Sequence, residues 1–159
     1  MTAASETSAS ALCAVHHVGV SVADLERSIA FWQRLLGTSP RNRQLLDGPM
    51  VGVLVGYEGV RIDSCWFDLP GGTSLELLQY LDRPEPPYDE GTAHPGNVHL
   101  CLEVEDMAEA HAHAVACGAR PVSPEPIRVA RGPRAGTEVA YLRNPDGVTI
   151  ELNRPAPVS

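Results

Sequence analysis

The sequence predicts an α+β fold: two β-α-β-β-β modules whose sheets pair into a curved, half-open surface with the helices outside. Three observations carry that expectation. The run His17-Val18-Gly19-Val20-Ser21-Val22-Ala23-Asp24 returns as His99-Leu100-Cys101-Leu102-Glu103-Val104-Glu105-Asp106, with the His seven residues before the Asp in both copies. Each Asp opens an apolar pattern of helical period that ends at a glycine, Gly37 or Gly118. Each copy then closes on a strand-like run that holds one glutamate, Leu75-Glu76-Leu77 and Ile150-Glu151-Leu152.

In the first copy, residues 15–22 alternate as a strand, with His17, Gly19 and Ser21 on one face and His16, Val18, Val20 and Val22 on the other. Asp24 sits where a helix N-cap belongs. Leu25, Ile29, Trp32 and Leu36 follow at helical spacing, and Gly37 supplies the stop. Residues 51–57, 60–69 and 73–80 read as three further strands, punctuated by Gly59 and Pro70-Gly71-Gly72. The second copy repeats the order: a strand over 98–104, a helix over 106–117, and a proline-broken stretch. A strand over 139–143, a turn at Asn144-Pro145-Asp146-Gly147 and a strand over 148–153 complete it. Residues 1–11 are expected to be a disordered tail and 12–80 the first module. Residues 81–96, with Pro84, Pro86, Pro87 and Pro95, form a linker before the second module at 97–155; together they make one structural domain.

Composition narrows the function classes. With 159 residues, 43% of them hydrophobic, the chain can bury a core. A net charge of -8 with only 12 Lys and Arg offers no footprint for nucleic acid. No run approaches the ~20 apolar residues that span a bilayer. The first ten residues lack the basic and apolar regions of a secretory signal. Cys13, Cys65, Cys101 and Cys117 show no C-x-x-C spacing, so reduced thiols and a cytoplasmic location are expected.

Period-2 geometry puts His17 with Gly19 and Ser21, Glu76 with Ser74 and Leu78, His99 with Cys101 and Glu103, and Glu151 with Thr149 and Asn153. The helices must cover the opposite, valine- and leucine-bearing faces, which leaves all four ionisable residues on the concave side. A single strand histidine is most often structural. Two His and two Glu at matching places in two copies point instead to a shared divalent-metal site, since paired carboxylates in a concavity need a compensating cation. His16 is expected to pack or to act behind His17. His94 falls in the linker, and His111 and His113 lie on the Ala-rich helix with His113 facing outward. The run 128–136, with Arg128, Arg131 and Arg134, precedes the strands that deliver Glu151 and is a candidate to close over an anionic substrate.

At these residues the chain resembles the vicinal oxygen chelate superfamily, which includes glyoxalase I, methylmalonyl-CoA epimerase, extradiol dioxygenases and bleomycin- or fosfomycin-resistance proteins. The matching stretches are HHVGVSVADLERSIAFWQRLLG, SLELLQ, VHLCLEVEDM and NPDGVTIEL, which together span residues 15–154. The resemblance implies paired modules and one divalent ion per chain (Fe, Mn, Co, Ni or Zn) on His17, Glu76, His99 and Glu151. It also implies a small-molecule substrate and a homodimer. The ligand set is closest to those of glyoxalase I and methylmalonyl-CoA epimerase. Where glyoxalase I carries an Arg four residues after the first ligand and an Asn four after the second, this chain has Ser21 and Tyr80.

Four protein ligands on a six-coordinate ion leave two open positions, one fewer than a two-His, one-carboxylate oxygenase keeps. That favours redox-neutral proton transfer next to a carbonyl, with Glu76 or Glu151 as the catalytic base and the metal stabilising an enediolate or enolate. A dioxygenase of the same superfamily is one alternative. A non-catalytic drug- or metabolite-binding protein, its pocket lined by Trp66, Phe67, Tyr80 and Tyr141, is another.

Overall fold

The computed structural model describes residues 12–83, 86 and 89–157. The expected tail over 1–11, and Pro84, Pro87 and Tyr88 of the expected linker, lie outside the described residues. The architecture is α+β, with three helices among the described residues and two mixed sheets.

The first sheet has the order β1-β4-β3-β2, with β1 (His17–Ser21), β2 (Asn42–Leu46), β3 (Ile62–Asp68) and β4 (Ser74–Tyr80). β1 runs parallel to β4, and the other neighbours are antiparallel. The helix α1 (Leu25–Leu36) starts at Asp24, whose carboxylate accepts the Arg27 backbone N–H, and ends at Gly37 with a positive φ of 67°. Leu25, Phe31 and Trp32 bury themselves between this helix and its sheet together with Phe67, Leu75 and Leu77.

The second sheet repeats the plan as β5-β9-β8-β6, with β5 (His99–Glu103), β6 (Arg120–Pro121), β8 (Glu138–Arg143) and β9 (Thr149–Arg154). A two-residue strand, β7 (Ile127–Arg128), also pairs with β8. β5 is parallel to β9 in the same register that joins β1 to β4. The covering helix α3 (Met107–Ala116) is capped by Asp106, which accepts the Glu109 N–H. Neither sheet closes into a barrel, and β1 and β5 are each an edge strand.

The expectation over residues 51–57 was wrong. That segment holds a short helix, α2 (Pro49–Val55), and the missing strand is β2, further upstream. The run Val51-Gly52-Val53-Leu54-Val55 is apolar on every side, so its period cannot distinguish strand from helix. Proline at the first turn and Gly56 in the left-handed region at the end decide for the helix. Gly52 is required, because a Cβ there would lie 2.8 Å from the Tyr57 carbonyl oxygen. Val51 and Val55 pack onto Leu46, Ile62, Leu78 and Tyr80, on the face of the first sheet opposite α1.

One apolar core unites both halves, running from Phe31 and Trp32 to Met107, Leu142, Ile150 and Leu152. Polar contacts lock the seam. Arg34 donates to the Cys117 carbonyl oxygen at 2.9 Å, and the His113 ring Nε2 lies 3.1 Å from the Arg34 carbonyl oxygen. His113 therefore reaches back to the end of α1, although its exposure fits the outward face expected for it. Asp146 accepts from Ser28 Oγ at 2.5 Å and from the Arg27 guanidinium at 2.9 Å. The Asn144-Pro145-Asp146-Gly147 turn aims that carboxylate: Asn144 Oδ1 accepts the N–H groups of Asp146 and Val148.

Candidate functional site

The parallel pairing of β1 with β4 sets Gly19 beside Glu76. Having no side chain, Gly19 leaves the carboxylate room: a Cβ there would already touch Leu78 at 3.4 Å. His17 Nε2 stands 3.5 Å from Glu76 Oε2, and Ser64 Oγ donates to Glu76 Oε1 at 2.9 Å. The Glu76 side chain is 11% exposed and that of His17 38%, so the carboxylate is sunk in the sheet face while the imidazole edge meets solvent. Two groups orient that imidazole. His16 Nδ1 lies 2.9 Å from His17 Nδ1, so one ring donates to the other, and the Trp66 ring packs edge-on with centroids 4.9 Å apart. With Nδ1 engaged, Nε2 is directed toward Glu76.

The second sheet builds the same pair. Cys101 and Tyr141 flank Glu151 in register. His99 Nε2 lies 2.8 Å from Glu151 Oε2, with side-chain exposures of 44% and 7%. The surroundings differ in kind. Arg134 places its guanidinium 3.5 Å from Glu151 Oε1 and donates to Asn153 Oδ1 at 2.6 Å. The Tyr141 ring packs against His99 with centroids 5.3 Å apart. Burial, then the Glu151 carboxylate, push the Tyr141 hydroxyl and the Cys101 thiol above their ordinary ranges. In the first sheet, burial followed by Tyr57 and Glu76 does the same to Tyr80.

The four sequence-derived residues thus come together two by two, His17 with Glu76 and His99 with Glu151. Among the described residues no three His, Cys, Asp or Glu side chains converge as a metal-binding group within one chain. The donor chemistry nonetheless suits a divalent ion: each pair offers an imidazole nitrogen and a carboxylate oxygen on one face, close enough to share a ligand shell. Of the aromatic residues expected to line a pocket, Trp66, Tyr80 and Tyr141 share faces with the two glutamates, whereas Phe67 is wholly buried in the core. From the 128–136 run, Arg134 reaches a glutamate.

Sequence reading passed over Ser64. Its place beside Glu76 depends on how β3 pairs with β4, and no local pattern encodes that register. His16, expected on the helix side of its strand and either packed there or acting behind His17, is exposed rather than packed, and its ring nitrogen meets that of His17. It precedes the first residue of β1, where the strand alternation no longer applies.

Comparison with known proteins identifies the family. Residues 16–141 match the model of the glyoxalase/bleomycin resistance protein/dioxygenase superfamily. A lactoylglutathione lyase of Neisseria meningitidis is 33% identical over 138 residues, covering 86% of each chain. A 2-epi-5-epi-valiolone epimerase of an Actinomyces species is 27% identical over 147 residues, 90% of this chain and 80% of that one. Among solved structures, a glyoxalase family protein of Bacillus cereus superposes with a TM-score of 0.77 at 20% identity, covering 98% of this chain and 100% of that one. The glyoxalase I of Zea mays superposes with a TM-score of 0.60 at 22% identity over 91% of this chain and 45% of its own. Among the described residues, no helix is long and apolar enough to cross a membrane. A family model covering most of the chain, and a relative at one-third identity over most of both chains, place it: the protein belongs to the glyoxalase/bleomycin resistance protein/dioxygenase superfamily.

Proposed function

We propose that the protein is a metal-dependent enzyme of the glyoxalase and epimerase kind. It would move a proton at a carbon beside a carbonyl of a small, oxygen-chelating substrate, with no net redox change. The observation that supports this reading is the duplicated pair. Two buried carboxylates, each with a half-exposed imidazole beside it, sit at the same register in two sheets. Together they make a four-donor set for one divalent ion, with two positions left for substrate oxygens. When bound, such an ion polarises a substrate oxygen and holds the negative charge that develops on it.

The chain's own residues do the rest. Glu76 and Glu151 are the proton carriers, each within reach of a substrate lying between the pairs. Ser64 steadies the first by its hydroxyl and Arg134 the second by its charge. The Trp66 and Tyr141 rings each pack against one imidazole and limit its rotation.

Because the two pairs stay apart in one chain, we place the complete site between two copies. His17 and Glu76 of one protomer would face His99 and Glu151 of its partner, and a two-fold axis would generate two equal sites. The exposed side chains of Met50, Val53 and Leu54 on α2, which packs on the site face of the first sheet, supply an apolar surface for that contact.

Metal analysis and hydrogen exchange test the reading together. Wild type purified without added metal should carry about one divalent ion per chain, and His99→Ala should lose most of it while keeping its fold. Solvent deuterium should enter the substrate carbon during turnover. Full metal occupancy in His99→Ala, or turnover that consumes dioxygen, would overturn it.

A further inference from the structure

All twelve basic side chains of the chain are arginines, so any permanent positive charge a side chain offers to a ligand is a guanidinium. Arg27, Arg41, Arg43, Arg61, Arg120 and Arg154 each hold a carboxylate at 2.6–2.9 Å. Arg134 differs. Its Nη2 stands 3.5 Å from Glu151 Oε1, outside hydrogen-bonding range, and donates instead to Asn153 Oδ1 at 2.6 Å. Nε and Nη1 have no partner among the described residues, and the side chain is 59% exposed. The loop holds this group in place. Val129 donates to the Thr137 carbonyl oxygen and accepts from the Gly136 N–H, both at 2.8 Å, and the Thr137 N–H donates to the Arg134 carbonyl oxygen at 3.0 Å. Asn153 shares the site face of β9 with Glu151, so its amide anchors the guanidinium beside that glutamate. A cation already fixed, with donors to spare, needs little ordering when a ligand engages it.

Charge balance indicates what it engages. A divalent ion held by Glu76 and Glu151 would meet their two negative charges with two positive ones and leave the Arg134 charge surplus. Glu103, which shares its face of β5 with His99 and Cys101, makes no ion pair with it. A surplus guanidinium beside a chelating site suits a ligand that brings its own negative charge, and the planar fork of N–H donors matches a carboxylate. We propose that Arg134 is a specificity-determining residue that receives a carboxylate of the substrate. The substrate class is then a carbonyl compound that is also a carboxylic acid, with the acid group a few bonds from the chelating oxygens. This assignment rests on the metal-dependent reading given above.

Two chelators with the same head test it: acetohydroxamate, and succinomonohydroxamate, which adds a carboxylate on a two-carbon arm. Calorimetric titration into cobalt(II)-loaded protein reads both affinities. Wild type should bind the acid about tenfold more tightly than acetohydroxamate, the size of one partly exposed charge-assisted hydrogen bond. Arg134→Gln should abolish that preference. Arg131→Gln, which removes an exposed arginine of the same loop, should leave it intact. Because the readout is the ratio of two affinities, any effect of a substitution on the metal itself cancels. The proposal is overturned if wild type shows no preference, or if Arg134→Gln keeps it. It is likewise overturned if Arg131→Gln abolishes it equally, which would assign the effect to the charge of the whole loop. In these three outcomes acetohydroxamate still binds and the metal-dependent reading stands. Failure of acetohydroxamate to bind wild type would instead remove the metal site, and this assignment with it.

Discussion

Ser28 donates a 2.5 Å hydrogen bond to Asp146 across the boundary between the two sheets, and both side chains are buried there. The first residue sits one turn into α1 and the second in the turn between β8 and β9, so the contact joins segments more than a hundred residues apart. Arg27 adds its charge to the same carboxylate. Together with the Arg34 and His113 contacts, this polar knot gives direction to a seam whose surrounding core is apolar and non-directional.

Removing one partner should therefore be expensive. Asp146→Ala leaves the fully buried Ser28 hydroxyl without an acceptor and should cost about 3 kcal/mol in urea unfolding. Asp146→Asn, which keeps an acceptor, should cost less than half as much. Equal losses in the two variants would show that charge, and not the hydrogen bond to Ser28, carries the contact.

Mixing variants tests whether the site spans two copies. His17→Ala and His99→Ala should each be nearly inactive as pure proteins. After subunit exchange, about a quarter of wild-type activity should return, since half the dimers are mixed and each mixed dimer regains one intact site of two. No recovery under conditions where exchange is demonstrated would place each site within one chain.

Glu76→Gln and Glu151→Gln separate proton transfer from coordination. An amide oxygen can still bind a metal but cannot accept a proton, so kcat should fall by roughly 10²–10⁴-fold in at least one variant while KM changes little. Deuterium wash-in at the substrate carbon should fall in step. If both variants exchange at the wild-type rate, neither carboxylate is the base.

The glycine in α2 gives a test of the corrected fold. Gly52→Ala forces a Cβ to within 2.8 Å of the Tyr57 carbonyl oxygen, and backbone cannot yield as a flexible side chain would. A loss of about 1–3 kcal/mol is expected. Were the segment a strand, alanine there would be nearly neutral.

Much of this molecule is legible in its sequence because the repeat constrains it twice. The alternation around His17 and His99, and the caps Asp24 and Asp106, are local signals of known geometry, and the strands and helices follow them. The pairs formed by His17 with Glu76 and His99 with Glu151 needed only the parallel pairing of first and last strands in each copy. Two things resisted. The all-apolar run at 51–55 has no period to read, and its conformation is set by Pro49, Gly56 and packing on Tyr80. The partners that distinguish the two glutamates, Ser64 and Arg134, arrive from strand register and loop path, neither of which is written in a single stretch of sequence.

Ser64 and Arg134 make the surroundings of the two glutamates unequal. The strands that carry the two His–Glu pairs repeat one another, since β1 joins β4 in the register that joins β5 to β9. The side chains break that equivalence. One wall offers an indole and a hydroxyl, Trp66 and Ser64, while the other offers a phenol and a guanidinium, Tyr141 and Arg134. Under the proposed function, a substrate would therefore meet unequal chemistry on its two faces, set by side chains rather than by the course of the strands that carry them.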